Sequence, residues 1–335
     1  MSTASLAFSG AGPIAATTRE RVLAAAGELG YLGPNPLGRQ LRSGRSGIVG
    51  VVIGDALRRA FRDPVSIQVL DGLVSTLGEM DLGVLLIPGP SDPAEPPVDP
   101  LVLSAAMDVA VLLWSSGTQD PVLEALRRRN VPTVVVEGAV EPGTAAVGID
   151  DRRGMTEAVT HLRDLGHESI ACVTLAFDRS RGEGFVPQER WGEVIWEVTS
   201  RRLEGVLDAG IVPWGVYETP ASLVEHGASA GRAILSADDR PTAVLCQSDL
   251  LASGVVLAAR ELGLAVPGDV SVAGFDGVDL PWLAPDVLTS VTQPLAEKGA
   301  AVGRAVASLL AGDVPEPVTL PVAFRAGTTT GPAPA

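Results

Sequence analysis

From residue 47 onward, short apolar runs alternate with segments of helical period. The runs are Ile48–Ile53, Leu82–Ile87, Val109–Trp114, Pro132–Glu137, Val147–Asp150, Ser169–Thr174, Gly215–Glu218, Ala243–Gln247 and Val270–Phe275. Helical spacing falls between them, near 64–79, 119–130, 152–165, 193–209, 225–237, 249–262 and 294–311. Near-continuous apolar strands separated by single helices predict parallel sheets covered on both faces. Nine runs exceed one comfortable doubly wound sheet, so the pattern predicts an α/β body of two lobes.

The first 46 residues differ in kind. Thr17–Leu29 has helical spacing, with Val22, Leu23, Ala26 and Leu29 on one side, Thr17 or Thr18 as cap and Gly30 as stop. Pro34 and Pro36 then predict an extended connector. Leu37–Arg42 spans about one and a half helical turns, too short to stand without a partner surface.

Charge sharpens this division. The chain of 335 residues carries a net charge of −15. Residues 1–50 nevertheless hold five Arg (Arg19, Arg21, Arg39, Arg42, Arg45) against two Glu (Glu20, Glu28). A small basic head on an acidic body is the asymmetry expected when only the head meets phosphate. With 46% hydrophobic and 19% charged residues the chain reads as a well-packed globular protein, which excludes a disordered one. No stretch approaches the roughly 18 apolar residues of a membrane span, and Met1–Pro13 lacks the pattern of a signal peptide. A cytoplasmic protein without membrane contact is expected. Cys172 and Cys246, each inside an apolar run, are expected as buried free thiols.

Doubly wound lobes bind ligands beyond the carboxyl ends of their strands. The residues there are Asp55, Asp150, Asp151, Ser248, Asp249 and Asp276. Each Asp taken singly could be a helix cap. Their recurrence in both halves instead suggests a cleft between lobes. Enzyme signatures are lacking: there is no Walker A loop, nucleophile elbow or His-Glu-x-x-His. Pro13 breaks a superficial glycine loop at Gly10–Gly12, and His161, His167 and His226 have no partners at metal spacing. No catalysis, cofactor or metal is expected.

Several stretches resemble the lactose/galactose-repressor (LacI/GalR) family of regulators. "TRERVLAAAGELGYLGPNPLGRQLRSGRSGIVGVVI" (Thr18–Ile53) is similar to that family's junction between head and body. "VGIDDRRGMTEAVTHLRDLGHESIACV" (Val147–Val173) resembles its strand-helix-strand unit, and "RRLEG" (Arg201–Gly205) the segment supplying a ligand-contacting Arg. "AVLCQSDLLASGVVLAARELGLAVPGDVSVAGFDG" (Ala243–Gly277) and "LTSVTQPLAEKGAAVGRAVASLL" (Leu288–Leu310) resemble the rest of the body and its crossover helix. The resemblance implies a periplasmic-binding-protein-like core of two doubly wound parallel-sheet lobes behind a helix-turn-helix head and hinge helix. The implied domains are a head and hinge at 1–46, a first lobe at 47–149 plus 291–318, and a second at 150–290 plus 319–335.

It further implies a hinge at Pro36–Arg42, where Arg39, Leu41 and Arg42 meet DNA. Leu41 would wedge into the minor groove, although a leucine packed beneath the first lobe is the plainer alternative. "MSTASLAFSG" resembles the end of a recognition helix, with Ser2, Thr3 and Ser5 facing the groove and Leu6 and Phe8 turned inward. The family's first helix and turn are expected to be missing, which makes the head partial. Phe177–Arg201 is longer than the family pattern predicts and is either a lid or an extra wall on the cleft, or a surface insertion with partly buried tryptophans. The implied effector pocket takes Asp55, Phe61 and Asp63 from the first lobe. Asp150, Arg202, Ser248, Asp249 and Asp276 come from the second, with Gln293 at the crossover. Carboxylates, an Arg fork and an apolar ring at Phe61 or Trp282 suit a sugar or sugar derivative. The expected protein is a homodimeric repressor whose operator affinity follows effector-driven lobe closure. The alternative is a sensor with the same lobes that has lost specific DNA binding.

Overall fold

The computed structural model describes residues 3–9, 13–31, 44–90, 94–115, 117 and 120–334. These form two compact units, Met1–Gly47 and Ile48–Ala335. The first contains α1 (Thr3–Ser9) and α2 (Ala16–Glu28). Ala7 and Ala26 are buried, Phe8 meets Tyr31 edge-on at 5.7 Å between ring centroids, and Arg19 Nε donates to Ala7 O at 3.1 Å. Neither Thr17 nor Thr18 caps α2; Ala15 holds the cap position and no side chain bonds the free amides. Gly30 ends the helix in the left-handed region at φ 64°. Thr3 is exposed, whereas Ser2, the side chain of Ser5, Arg39, Leu41 and Arg42 lie outside the described residues.

The second unit carries two sheets. The first is a six-stranded parallel sheet in the order β12-β5-β4-β3-β1-β2. Its strands are β1 (Ile48–Ile53), β2 (Gly83–Ile87), β3 (Val109–Leu113), β4 (Thr133–Val136), β5 (Ala145–Ile149) and β12 (Val318–Leu320). The second sheet has seven strands in the order β13-β11-β10-β9-β6-β8-β7. It contains β6 (Ile170–Thr174), β7 (Gly184–Val186), β8 (Val216–Glu218), β9 (Ala243–Cys246), β10 (Ser271–Asp276), β11 (Thr289–Thr292) and β13 (Ala323–Arg325). Only its edges, β7 and β13, pair antiparallel.

The interior strands β1 and β3 of the first sheet and β6 and β9 of the second are buried on both faces, which is why they read as unbroken apolar runs. In β3, Val109, Val111 and Leu113 join one core while Ala110 and Leu112 join another. In β6, Ile170 and Cys172 face one core and Ala171 and Val173 the other. Cys172 and Cys246 are both buried free thiols, and burial pushes Cys172 up to about 12. Helices pack almost backbone to backbone at glycines. A Cβ on Gly299 of α11 (Leu295–Ala311) would sit 2.2 Å from Val69 O of α4 (Pro64–Gly78). In the second lobe, a Cβ on Gly254 of α10 (Asp249–Glu261) would sit 2.2 Å from Val224 O of α9 (Val224–Leu235).

Two expected lobe boundaries shift by a few residues. Val291 and Thr292 belong to the second sheet through β11, and Thr319 and Leu320 to the first through β12. Strand pairing decides both cases, since each crossover follows the last paired residue. The chain thus passes between lobes after β5, after β11 and after β12. Among the described residues no helix is long and apolar enough to cross a membrane.

Candidate functional site

In each lobe the strand order reverses at one point, between β1 and β3 in the first and between β6 and β9 in the second. Ligands bind at such points, outside the carboxyl ends of the strands. Here the two reversals face one cavity of about 930 Å³, counting the open solvent at its mouth. Gly54 and Asp55 reach it from β1 and Trp114 and Ser115 from β3. Leu175 and Ala176 reach it from β6, and Ser248 from the end of β9. A Cβ at Gly54 would lie 2.6 Å from Trp114 O, so only glycine permits the exits of β1 and β3 to approach this closely.

Backbone conformation marks the same place. Among the described residues six non-glycines have positive φ, and Trp114, Glu137, Arg181 and Asp276 of these line the cavity. Such conformations cost of order 1–3 kcal/mol each and persist where the surroundings enforce them. At Trp114, Glu137 and Asp276 they turn the strand-end residue out of the pleat.

A chain of buried polar groups runs beneath the cavity from one lobe to the other. Arg202, on α8 (Glu197–Asp208), donates from Nε to Asp151 Oδ1 at 2.7 Å and from Nη1 to Gln247 O at 2.5 Å. Nη1 also lies 3.4 Å from Asp276 Oδ1, and the guanidinium rests 3.8 Å from the Phe275 ring centroid. Gln293 Nε2 donates to the same Asp276 oxygen at 2.7 Å. Lys298, wholly buried on α11, donates to Gln293 Oε1 at 2.5 Å and to Glu137 Oε2 at 2.9 Å. Trp114 Nε1 donates to that Glu137 oxygen at 3.0 Å, which leaves Glu137 Oε1 buried without a hydrogen-bond partner.

The carboxyls respond to this setting in opposite directions. Burial lifts Asp151 to about 6 against the pull of Arg202, and it lifts Asp276 well above the usual carboxylate range. Asp63 is raised by burial as well. Burial also opposes ionisation of Glu137, but Lys298 and then Arg202 outweigh it and hold this carboxyl below its usual value. The cavity therefore sets Glu137, held below its usual value chiefly by Lys298, beside Asp276, raised above its usual value by burial.

The mouth is built differently. Arg59 Nε donates to Asp55 Oδ1 at 2.6 Å. Arg181 donates from Nη2 to Gly54 O and from Nη1 to Pro220 O, each at 3.0 Å, and so ties the first lobe to the second. Arg179 and Arg181 lie over the Trp196 ring, 5.4 and 5.8 Å from its centroid. Gly117 N donates across to Ile195 O at 2.9 Å. The long segment 177–201 therefore forms a wall of the cleft that is bonded to both lobes.

Comparison with known proteins places this architecture. Residues 159–330 match the family model described as a periplasmic binding protein-like domain. An HTH-type transcriptional regulator of Mycobacterium tuberculosis is 34% identical over 98% of this chain and 93% of its own length. The chain belongs to the LacI family of transcriptional regulators. A crystal structure of a LacI-family regulator from Corynebacterium glutamicum superposes with a TM-score of 0.76 at 28% identity, covering 98% of this chain and 94% of that one. The transcriptional regulator CelR, solved as a cellobiose complex, shares the fold with a TM-score of 0.71 at 24% identity, covering 97% of this chain and 94% of that one.

In this LacI-family chain the cavity brings together Asp55, Asp63, Arg202, Ser248 and Asp276 of the nine residues expected there. Their hydrogen bonds qualify their roles. Asp63 caps α4, its two oxygens accepting from Val65 N and Ser66 Oγ at 3.0 Å each. Ser248 Oγ accepts from Leu251 N at 3.2 Å and from Ser222 Oγ at 2.9 Å. Four expected residues lie outside the cavity lining. Phe61 is 56% exposed, and Asp150 caps α7 (Asp151–Asp164) by accepting from Arg153 N. Asp249 is fully buried and accepts from Gly277 N, Val278 N and Ser290 Oγ, so it supports the loop after β10. Gln293 acts one step removed, through Asp276 and Lys298. Trp282 is exposed and also lies off the lining.

Trp114, Glu137, Arg59 and Lys298 were not foreseen. The strand-exit rule reaches the first two once the strands are ended one residue earlier, at Leu113 and Val136. Arg59 sits on an unpredicted single turn, α3 (Leu57–Ala60), directly after the β1 exit. Nothing local marks Lys298, whose partner Glu137 is 161 residues away.

Proposed function

We propose that this regulator binds a small polyhydroxylated molecule, a sugar or sugar derivative, in the inter-lobe cavity and thereby alters its affinity for operator DNA. The observation that carries the reading is Glu137, a residue of the cavity lining that Lys298 helps keep ionised and whose Oε1 is buried without a hydrogen-bond partner. A hydroxyl donating to it would satisfy an atom that otherwise keeps an uncompensated desolvation cost. Asp276 and Ser248 add further polar contacts, and the buried Ala60, Val65 and Ala221 supply apolar wall. The cellobiose complex of a protein with the same fold supports the choice of ligand class.

In this reading Asp55, Asp63, Arg202, Ser248 and Asp276 serve the effector directly, while Gln293 and Asp249 hold the groups that do. Because the ligand touches both lobes, binding favours the closed arrangement, and a linkage of about 1–3 kcal/mol to DNA affinity is typical of such systems. The regulator acts as a homodimer, so that two heads meet two half-sites.

Trp114 and Trp196 line the cavity and report on its occupancy. Titration with a panel of neutral sugars and polyols, their phosphates and their acids should produce a saturable change in tryptophan fluorescence. A cavity-filling variant, Ser222→Trp, should abolish ligand binding measured by calorimetry. A panel on which no compound binds the unmodified protein would refute the sugar assignment.

A further inference from the structure

The segment 177–196 is cross-tied into one unit on the second lobe. Phe177 is fully buried in that lobe's core, and its N–H donates to Glu218 Oε1, at the end of β8, at 2.8 Å. Ile195 N donates back to Phe177 O at 2.8 Å, so the segment closes on itself. Within it Trp191 Nε1 donates to Val186 O at 3.0 Å, and Arg190 Nη2 donates to Asp178 Oδ2 at 3.3 Å.

Arg181 projects from this unit across the cleft. Its planar fork gives one arm to each lobe, Nη2 to Gly54 O of the first and Nη1 to Pro220 O of the second, each at 3.0 Å. Asp55 of the first lobe lies 3.5 Å from Nη2 and offsets part of the charge. The side chain is 18% exposed, so water competes weakly for these bonds. A lysine ammonium has no such fork. The backbone of Arg181 is held in the left-handed region at φ 50°, which a non-glycine keeps where its surroundings enforce it. Two further ties cross the cleft. Gly117 N of the first lobe donates to Ile195 O of the same segment at 2.9 Å, and Arg62 pairs with Glu225 of α9 at 2.6 Å, both side chains more than half exposed.

We infer that the segment 177–196 is a strap over the inter-lobe cavity and that Arg181 is its clasp, a positioning residue that holds the lobes together until its hold on Gly54 O is released. Arg181 and Trp196 both line the cavity, and the guanidinium lies 5.8 Å from the centroid of the Trp196 ring. Release of the clasp therefore moves part of the cavity wall away with the strap. The purpose of the clasp, to gate the entry and exit of the effector, rests on the cavity being the effector site. Its existence can be measured without any ligand, because protein groups alone make the three ties.

Amide hydrogen exchange at residue resolution tests the clasp in the full chain. The Gly117 amide should exchange slowly in the unmodified protein. Arg181→Met should speed it by about 10-fold or more, the order expected when charge-assisted hydrogen bonds are lost from a partly buried site. Amides of β9 and the urea midpoint should stay nearly as before, since the opening is local. Arg181→Lys should behave as Arg181→Met does. Arg181→Gly removes the clasp while relieving the left-handed backbone, and reads the same site if Arg181→Met fails to fold. Raising salt to about 1 M, which screens the exposed Arg62–Glu225 pair, should leave Gly117 slow. An unprotected Gly117 amide in the unmodified protein, or one whose rate ignores all three substitutions, would overturn the inference. Full protection in Arg181→Lys, or release by salt alone, would overturn it as well, by assigning closure to charge or to Arg62. Exchange that rises throughout the body together with a lower urea midpoint would make Arg181 a merely structural residue. Each of these results leaves the sugar reading standing, which the fluorescence titration decides separately.

Discussion

Replacing Lys298 with Met removes a wholly buried ammonium while keeping most of the apolar stem that packs in α11. Glu137 then loses the neighbour that does most to keep it ionised and has Trp114 Nε1 as its remaining donor. A buried carboxylate in that position takes up a proton. The cost of doing so at pH 7, from an ordinary value of 4.5, is about 3 kcal/mol at 1.36 kcal/mol per pH unit. This agrees with the roughly 3–5 kcal/mol typical of breaking a buried ion pair from one side. The same reasoning fixes the pH dependence. In the unmodified protein Glu137 stays below its usual value, so its contribution is present above pH 4.5 and is lost only as pH falls through the lower folded value. In the variant its pKa is raised, so the stability deficit shrinks by about 1.4 kcal/mol for each unit from pH 7 towards 5. Urea unfolding of both proteins at pH 5, 6 and 7 measures the difference, and adding Glu137→Gln to the variant should flatten it. A deficit below about 1 kcal/mol that does not change with pH would refute the account of the buried network.

Arg202→Met should destabilise the protein by about 3 kcal/mol or more, because it strips Asp151 and Asp276 of their shared cation; urea midpoints at pH 7 check this. Asp151 at about 6 and Asp249 at about 7 are both raised above 3.8, so the folded state holds protons that the unfolded chain releases. Stability should therefore rise as pH is lowered from about 7.5 to 5.5, and a urea midpoint that falls over that range would contradict the assignment. Gly254→Val, whose first added carbon meets Val224 O at 2.2 Å, should cost about 2 kcal/mol or more. Gly78→Ala at the exposed end of α4, where nothing lies within 4 Å, should be neutral or stabilising by up to about 1 kcal/mol; thermal melts of the two variants separate close packing from mere helix propensity.

The interior of the fold was legible because β1, β3, β6 and β9 are buried on both faces and can only be apolar. The edges were not. β12 and β13 are three residues each with exposed positions, and β11 reads Thr-Ser-Val-Thr although Thr289 and Ser290 are buried. Those hydroxyls are satisfied by partners some forty residues distant, Ser290 through Asp249 and Thr289 through the segment around Gly327 and Thr330. Composition alone does not reveal such pairing. The same limit governed the site. Asp55, Asp276 and Arg202, to which strand ends and a family motif point, line the cavity, whereas Asp150 and Asp249 share the strand-exit pattern and serve a helix cap and a loop. The groups that join the two lobes, Lys298 with Glu137 and Arg181 with Gly54, come together only through the crossovers.

The central claim is that a ligand in the inter-lobe cavity controls binding to DNA. Its most direct test is anisotropy of labelled DNA from the gene's own upstream region at fixed salt, titrated with the protein with and without the compound that saturates its tryptophan signal. The 335-residue chain and a form extended upstream in the same reading frame are compared. The account predicts specific binding whose dissociation constant changes about 5- to 150-fold when the cavity is filled, and no such change in Ser222→Trp. Specific binding that ignores the ligand, or binding by neither form above the non-specific level, would contradict it.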